Sequence, residues 1–311
     1  MTKSRGVRGA AGGCAVASLV YLLARGLLTL LVSALMGLAH PGASLAKPLG
    51  FSGVSTALFQ LLIGLGAIVL TLVFLLKVTR LKTKDLRIML PAPWSPGFCL
   101  PVFLGVANLA NLAGALINRL TGSPATSEML PSGGPELLMQ FLALCVMPAI
   151  AEELLFRGFL MKSLSAVSVR FGIVTSALLF GLMHGNFQQF ILGFVMGLFL
   201  GKIVARHNSL LPSILVHMAV NTNSMVLSLL QEKLPEKVAN VGILPFGMAV
   251  LAFSIMGVLF WLLYERRQPL PYPTQKQATR SRTAMFSPVL VLAVVVLAGF
   301  MVFLAVRGAN G

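Results

Sequence analysis

Two adjacent glutamates, Glu152 and Glu153, lie inside a long apolar run of the chain and are followed by Arg157. At the centre of a membrane helix each charged side chain costs roughly 2.5–3.5 kcal/mol on insertion scales, so such residues need a specific role. Glu153 and Arg157 are four residues apart with the acid first, which is the better orientation for a helical ion pair. Glu152 is turned about 100° away and can face a cavity, where a carboxylate can transfer protons.

Two of the four histidines, His184 and His217, also lie within apolar segments. His217 and Asn221 are four residues apart and share one helix face, which can present two hydrogen-bond donors to a developing oxyanion. With a cytoplasmic N-terminus and nine membrane crossings, Glu152, His184, His217 and Asn221 fall within about 10 Å of one another in membrane depth. We therefore expect them to line one cavity that opens toward the cytoplasm.

The composition identifies the elements that must position these residues. Of 311 residues, 57% are hydrophobic and 10% are charged, with a mean hydropathy of +0.91. A soluble domain carries about 25% charged residues, so soluble and disordered chains are excluded. A soluble nucleic-acid binder is also excluded despite a net charge of +16, and no nucleic-acid partner is expected. The predicted fold is an all-α, polytopic transmembrane bundle of about eight or nine helices, with helices four to seven as its catalytic core.

A bilayer-spanning helix needs about 20 mostly apolar residues. With nine crossings and a cytoplasmic N-terminus, 17 of the 24 Lys and Arg residues lie on the cytoplasmic side and five on the other, as the positive-inside rule requires. The fifth and sixth segments run together through Gly185 and Asn186, which predicts a tight helical hairpin. The four-residue spacing of Gly193, Gly197 and Gly201 predicts a close-packing face. The nine predicted segments are Ala11–Leu38, Ala57–Leu76, Phe98–Ile117, Leu137–Met161, Phe171–Asn186, Phe187–Val204, Leu210–Leu230, Ile243–Tyr264 and Pro288–Val306.

Three sequence motifs resemble those of a known family. The segment Glu152–Arg157 fits the pattern EExxxR, Phe180–His184 fits FxxxH, and His217–Asn221 fits HxxxN, in the family's order. The chain resembles the CPBP family of intramembrane glutamic endopeptidases over roughly Leu137 to Leu230. That family contains the type II CAAX prenyl proteases, the Ras-converting-enzyme group, and bacterial bacteriocin-processing and self-immunity proteins.

The resemblance implies a role for each motif residue. Glu152 matches the glutamate that activates water, with His184 as its partner, and His217 and Asn221 match the pair that stabilises the oxyanion. The implied reaction is hydrolysis of a peptide bond without an acyl-enzyme. The implied substrate is a membrane-associated peptide or protein, with or without a prenyl group, cleaved near the cytoplasmic face.

Three further residues are expected to support the site. Glu153 and Arg157 match the second glutamate and the arginine of the motif, and Phe180 matches its aromatic residue, packed beside the site. We divide the chain into N-terminal helices one to three with a basic cytoplasmic loop (1–136), a CAAX-protease-like catalytic core (137–230), and C-terminal helices with a Pro-rich basic loop (231–311). The expected location is a multi-pass position in a bacterial or archaeal cytoplasmic membrane rather than the endoplasmic reticulum.

Simpler interpretations exist for several of these residues. The two glutamates and Arg157 can form only a structural ion-pair cluster, and His184 or Asn221 can serve only as hydrogen-bonding contacts between helices. Arg25 can pair with an acid of the core, although packing between helices or reaching an interface is favoured. Other polar residues of the helices are interpreted as contacts between helices, and these are Asn108, Asn111 and Gln140.

The same residues are also compatible with functions other than proteolysis. A proton-coupled transporter can use Glu152 and His184 as a relay, and a non-catalytic scaffold or immunity protein can keep the residues for folding alone. A transporter usually has paired halves with broken helices, and the sequence has no such symmetry. Two histidines and a glutamate can also bind zinc, but the HExxH pattern is absent. We therefore favour metal-independent chemistry and expect no cofactor.

Overall fold

The computed structural model describes residues 2–45, 47–78, 100–121, 134–165, 167–233 and 287–309, together with the isolated positions 248, 252, 255, 259 and 263. Within these ranges the chain forms eight continuous helices and no strand, which confirms the predicted all-α class. The helices are α1 (Thr2–Ala39), α2 (Gly53–Val78), α3 (Leu100–Thr121), α4 (Gly134–Leu164), α5 (Val169–Leu182), α6 (Phe187–His207), α7 (Leu211–Lys233) and α8 (Pro288–Ala309).

Four of these helices, α1, α2, α4 and α6, are long and apolar enough to cross a membrane. The outer surfaces of α1, α2 and α8 expose many leucine and valine side chains, which suits contact with lipid. The chain is a multi-pass membrane protein, while the number of nine crossings stays a prediction. The predicted eighth segment Ile243–Tyr264 lies almost wholly outside the described residues.

Helix α4 is not a regular α-helix along its length. Two π-helical segments, Phe141–Val146 and Glu153–Met161, flank a short α-helical segment, Met147–Glu152. The residue spacing predicts regular α-helical geometry in this segment, and the wider π-helical turns differ from that prediction. One cause is local: Pro148 has no N–H and cannot donate to the carbonyl of Leu144 four residues earlier, so the regular bonding pattern is interrupted. Segments of π-helix occur frequently at functional sites.

The predicted hairpin of helices five and six is confirmed. Helix α5 ends at Leu182, and four residues later α6 begins after Asn186, whose side-chain oxygen accepts a hydrogen bond from the N–H of Gln189 at 2.8 Å. Gly185 lies in the turn with a φ of 74°, a conformation that glycine adopts without steric cost. His184, predicted inside the helix, lies instead in this turn because the chain reverses directly after it.

Small residues let α5 and α6 approach closely. A Cβ atom added to Gly197 would contact Ala177, and one added to Gly193 would contact the backbone of Gly181. The next glycine on the same face, Gly201, also packs against α5. The close-packing face predicted from the spacing of these glycines is therefore confirmed, and it fixes the turn that carries His184.

Two clusters of buried hydrophobic residues pack against helix α4. One cluster of buried residues joins α4 and α5 to α1, α2 and α8, and it includes Leu155, Phe156 and Phe180. A second cluster joins α4 and α5 to α6 and α7, and it includes Ile173 and Ile214. Helix α4 is therefore packed between the N-terminal helices and the α5–α7 unit, with both glutamates at its middle.

Candidate active site

A cavity of about 2080 Å³ opens among the helices, and five of the residues predicted from the sequence line it. These residues come from three elements: Glu152 from α4, Phe180 and His184 from α5 and its turn, and His217 and Asn221 from α7. The other two predicted residues, Glu153 and Arg157, are buried behind this wall. The structure therefore brings all seven residues into one region.

Glu152 and Glu153 have different surroundings although they are adjacent. The Glu152 side chain is 14% exposed and lies on the cavity wall, with Oε2 3.9 Å from Nε2 of His217. The Glu153 side chain is fully buried, and Oε1 lies 2.7 Å from Nη1 of Arg157. The ion pair predicted from the spacing of four residues is present, and it neutralises one carboxylate while the other faces open space.

His217 joins the buried ion pair to the cavity. Its Nδ1 lies 3.1 Å from Oε1 of Glu153, and because an ionised carboxylate only accepts hydrogen bonds, Nδ1–H is the donor. In the neutral imidazole Nε2 then carries a lone pair, and only the imidazolium has an N–H at both positions. The sequence gave no signal for this contact, since Glu153 and His217 are 64 residues apart.

His184 has a defined orientation in the turn. Its Nδ1 lies 2.8 Å from the carbonyl oxygen of Phe180, which can only accept, so Nδ1–H is again the donor. The neutral ring therefore has an unprotonated Nε2, which can accept a proton or a hydrogen bond. The ring and the Glu152 carboxylate line the same cavity and the same narrow recess within it.

Asn221 makes the contact between helices that the sequence analysis held as an alternative. Its Nδ2 donates to the carbonyl of Leu144 at 3.3 Å, the carbonyl that Pro148 leaves without its α-helical donor. An amide carries two N–H groups, so one can bond to Leu144 while the second is available to the cavity. Asn108 has a similar structural role, because it accepts from Nδ2 of Asn223 at 3.0 Å.

Phe180 contacts both the buried ion pair and the cavity histidines. The guanidinium carbon of Arg157 lies 4.4 Å from the centre of its ring, a cation–π contact. The same ring makes edge contacts with His184 and His217 at centroid distances of 5.0 and 5.8 Å. Phe180 therefore packs against three of the other site residues.

The side chains that the structure describes include no group of three His, Cys, Asp or Glu residues placed to hold a metal ion. The candidate donors nearest to each other across the cavity, Glu152 and His217, are 3.9 Å apart, and His217 has its other nitrogen on Glu153. Chelation followed by addition of Zn²⁺ distinguishes a zinc mechanism from a metal-independent one.

Residues 134–223 match the sequence model of a family described as Type II CAAX prenyl endopeptidase Rce1-like. These residues, the Rce1-like core, are similar to that family. The predicted resemblance to type II CAAX prenyl proteases is confirmed over these residues, and this protease family supports an enzyme in a membrane. The matched segment covers most of α4 to α7, and all seven predicted site residues lie within it.

One curated relative is the UPF0177 protein YxdF of Lactococcus lactis subsp. lactis (strain IL1403), which is 29% identical over 107 residues. The matched stretch is 34% of this chain and 58% of that protein, so the chain spans little more than half the length of its relative. No solved structure matches this chain.

Helix α1 lies outside the Rce1-like core but contributes to the same cavity. Tyr21 and Arg25, four residues apart on α1, line a narrow recess together with Glu152 and His184. Arg25 was expected to pack between helices or to reach a membrane interface, whereas the structure places it on the cavity wall. No local signal could have placed it there, because the position depends on how α1 packs against α4 and α5.

Proposed function

We propose that this protein is an intramembrane endopeptidase that hydrolyses a peptide bond of a membrane-associated or lipidated peptide. One observation carries the proposal: a single cavity holds the Glu152 carboxylate beside the turn that carries His184, while Arg157 neutralises the neighbouring Glu153. The Rce1-like core supports a protease of this class. The glutamic, metal-independent mechanism below is the finer part of the proposal.

In the proposed reaction, Glu152 acts as the general base. Its carboxylate accepts a proton from a water molecule whose oxygen attacks the peptide carbonyl, and unprotonated Nε2 of His184 orients that water by accepting its second hydrogen. The proton held by Glu152 then passes to the departing amine as the C–N bond breaks. General-base assistance of this kind contributes on the order of 10²–10⁴ in rate.

The oxyanion formed by the attack needs hydrogen-bond donors. The second N–H of the Asn221 amide supplies one, and the contact to Leu144 holds that amide in place. His217 can supply another from Nε2 only as the imidazolium, because Nδ1–H is used by Glu153. A single donor of this type contributes about 10²–10³ in rate.

The placement in the membrane is also proposed. With a cytoplasmic N-terminus the cavity opens toward the cytoplasmic face, and the domains are 1–136, 137–230 as the catalytic core, and 231–311. A bacterial or archaeal cytoplasmic membrane is the proposed location. The substrate carries a membrane anchor, and a prenyl group is one form that the anchor can take.

Cleavage by purified protein tests the proposal. The protein in proteoliposomes is mixed with membrane-anchored peptides, some prenylated, some acylated and some with an apolar helix as anchor, and the products are identified by mass spectrometry. We expect the wild type to cleave at least one class, and Glu152→Gln to lose about 10²–10⁴ in rate. Glu232→Gln, which removes a carboxylate at the end of α7, is the matched control and should cleave normally.

Three results would contradict this proposal. Full activity in a folded Glu152→Gln variant would remove the proposed base. Loss of activity with a chelator and rescue by Zn²⁺ would favour the metal mechanism. Absence of cleavage of every peptide, together with proton-coupled uptake of a solute that Glu152→Gln abolishes, would favour the transporter.

A further inference from the structure

A tyrosine and an arginine on the first helix face the acid of the active site. Tyr21 and Arg25 are the only α1 residues in the recess that also contains Glu152 and His184. Both lie more than 100 residues before the segment that matches the Rce1-like family, which starts at residue 134. The family match therefore assigns them no role.

The arginine is held at this position by its neighbour. Tyr21 is 4% exposed, packed in the core shared by α1, α4 and α5, and its hydroxyl accepts a hydrogen bond from the Arg25 guanidinium. Arg25 itself remains open to the main cavity. The exposed Arg25 side chain therefore has a hydrogen-bond partner on its own helix and lines the same recess as Glu152.

The charges around the cavity leave Glu152 and Arg25 as a pair. Among the described residues that line the cavity, Arg25 is the only Lys or Arg and Glu152 is the only acid. Arg157 is also positive and acts on Glu152, but it is buried in contact with Glu153. The other ionisable groups facing Glu152 are Tyr21 on α1, His184 in the α5–α6 turn and His217 on α7.

We infer that Arg25 is the counter-ion of Glu152 and acts as a positioning residue that directs this carboxylate at the water molecule. A charge inside a membrane protein is costly, and an opposite charge in the same recess offsets part of that cost. Arg25 keeps its own protons throughout, since the proton from water moves to Glu152 and then to the leaving amine. The catalytic part of this inference rests on the proposed function, whereas the pairing does not.

A double-mutant cycle on stability tests the pairing without any substrate. Thermal unfolding in detergent is measured for wild type, Arg25→Met, Glu152→Gln and the double variant. We expect Arg25→Met to lower the midpoint by roughly 2–4 °C when Glu152 is present and by much less when residue 152 is Gln. Equal losses in both backgrounds would overturn the pairing. Arg170→Met, at the exposed start of α5, is the matched control and should give no difference between backgrounds.

Kinetics then test the positioning role. Arg25→Met should lower kcat by about tenfold to a hundredfold with KM within about twofold, and Arg25→Lys should recover most of that loss. A raised KM with unchanged kcat would mean that Arg25 holds a carboxylate of the substrate, and would overturn the counter-ion role. If wild type cleaves no peptide, the proposed function fails, and the stability cycle alone decides whether Arg25 pairs with Glu152.

Discussion

The two sides of helix α4 give its adjacent glutamates, Glu152 and Glu153, opposite surroundings. On the buried side, Glu153 contacts Arg157 and His217 and has no exposed surface. On the cavity side, Glu152 has open space before it and its closest histidine nitrogen 3.9 Å away. The comparison shows how a membrane protein can keep one carboxylate open to a cavity: it neutralises the adjacent one in its core, and that cluster orients a histidine of the cavity.

The largest expected effect on stability comes from breaking the ion pair on the buried side of α4. Arg157→Met should destabilise the protein by about 3–5 kcal/mol, because it leaves the Glu153 carboxylate buried without its partner. Unfolding by denaturant in detergent micelles measures this loss. The double variant Arg157→Met with Glu153→Met should recover much of it, since replacing a buried ion pair by apolar residues is often neutral. A single variant as stable as wild type would mean that the buried side is not structural.

Asn221→Ala should lower both activity and stability, because this amide lines the cavity and also bonds to the backbone of α4. We expect a loss of about 10²–10³ in kcat from the missing donor, and of about 1–3 kcal/mol in stability from the unsatisfied carbonyl of Leu144. Adding Pro148→Ala restores a backbone N–H four residues after Leu144, so the double variant should regain stability without regaining activity. Recovery of both in a peptide cleavage assay would show that Asn221 acts only as a contact between helices.

Phe180→Leu should have the smallest effect of the three, because the ring lies at the boundary between the two sides. The lost cation–π contact with Arg157 and the lost edge contacts with two histidines should cost about 1–3 kcal/mol in stability. We expect kcat to fall while KM changes little, since the ring of His184 loses its support. Phe180→Tyr, which keeps the aromatic ring, should keep most of the stability; if it loses as much as Phe180→Leu, the ring contacts are not the cause.

The sequence predicted the features that depend on spacing within one helix or one hairpin. The Glu153–Arg157 pair, the α5–α6 hairpin and the close-packing glycines all follow from separations of a few residues, and all are present. The predicted roles of the site residues remain proposals, although five of those residues share one cavity.

Apart from the shared cavity, features that depend on contacts between distant helices were not predicted. The bond from His217 to Glu153 and the recess formed by Arg25 depend on how whole helices pack, which no local pattern encodes. The π-helical segments of α4 had one local signal, the missing N–H of Pro148, and the amide of Asn221 that compensates for it is on another helix. Placing His184 in a turn required the conformation of Gly185, which the sequence permits but does not impose.

The length of α5 bears on how water reaches the site. Its 14 residues extend about 21 Å, less than the roughly 30 Å of a bilayer's hydrocarbon layer, so a helix starting at one membrane surface ends inside that layer. Backbone outside regular helices is tolerated at such depth only where protein buries it or water bathes it. His184 and Gly185 in the turn line the cavity. Water that enters this cavity can therefore solvate the end of the short helix, and the same water is then beside the residues that would use it for hydrolysis.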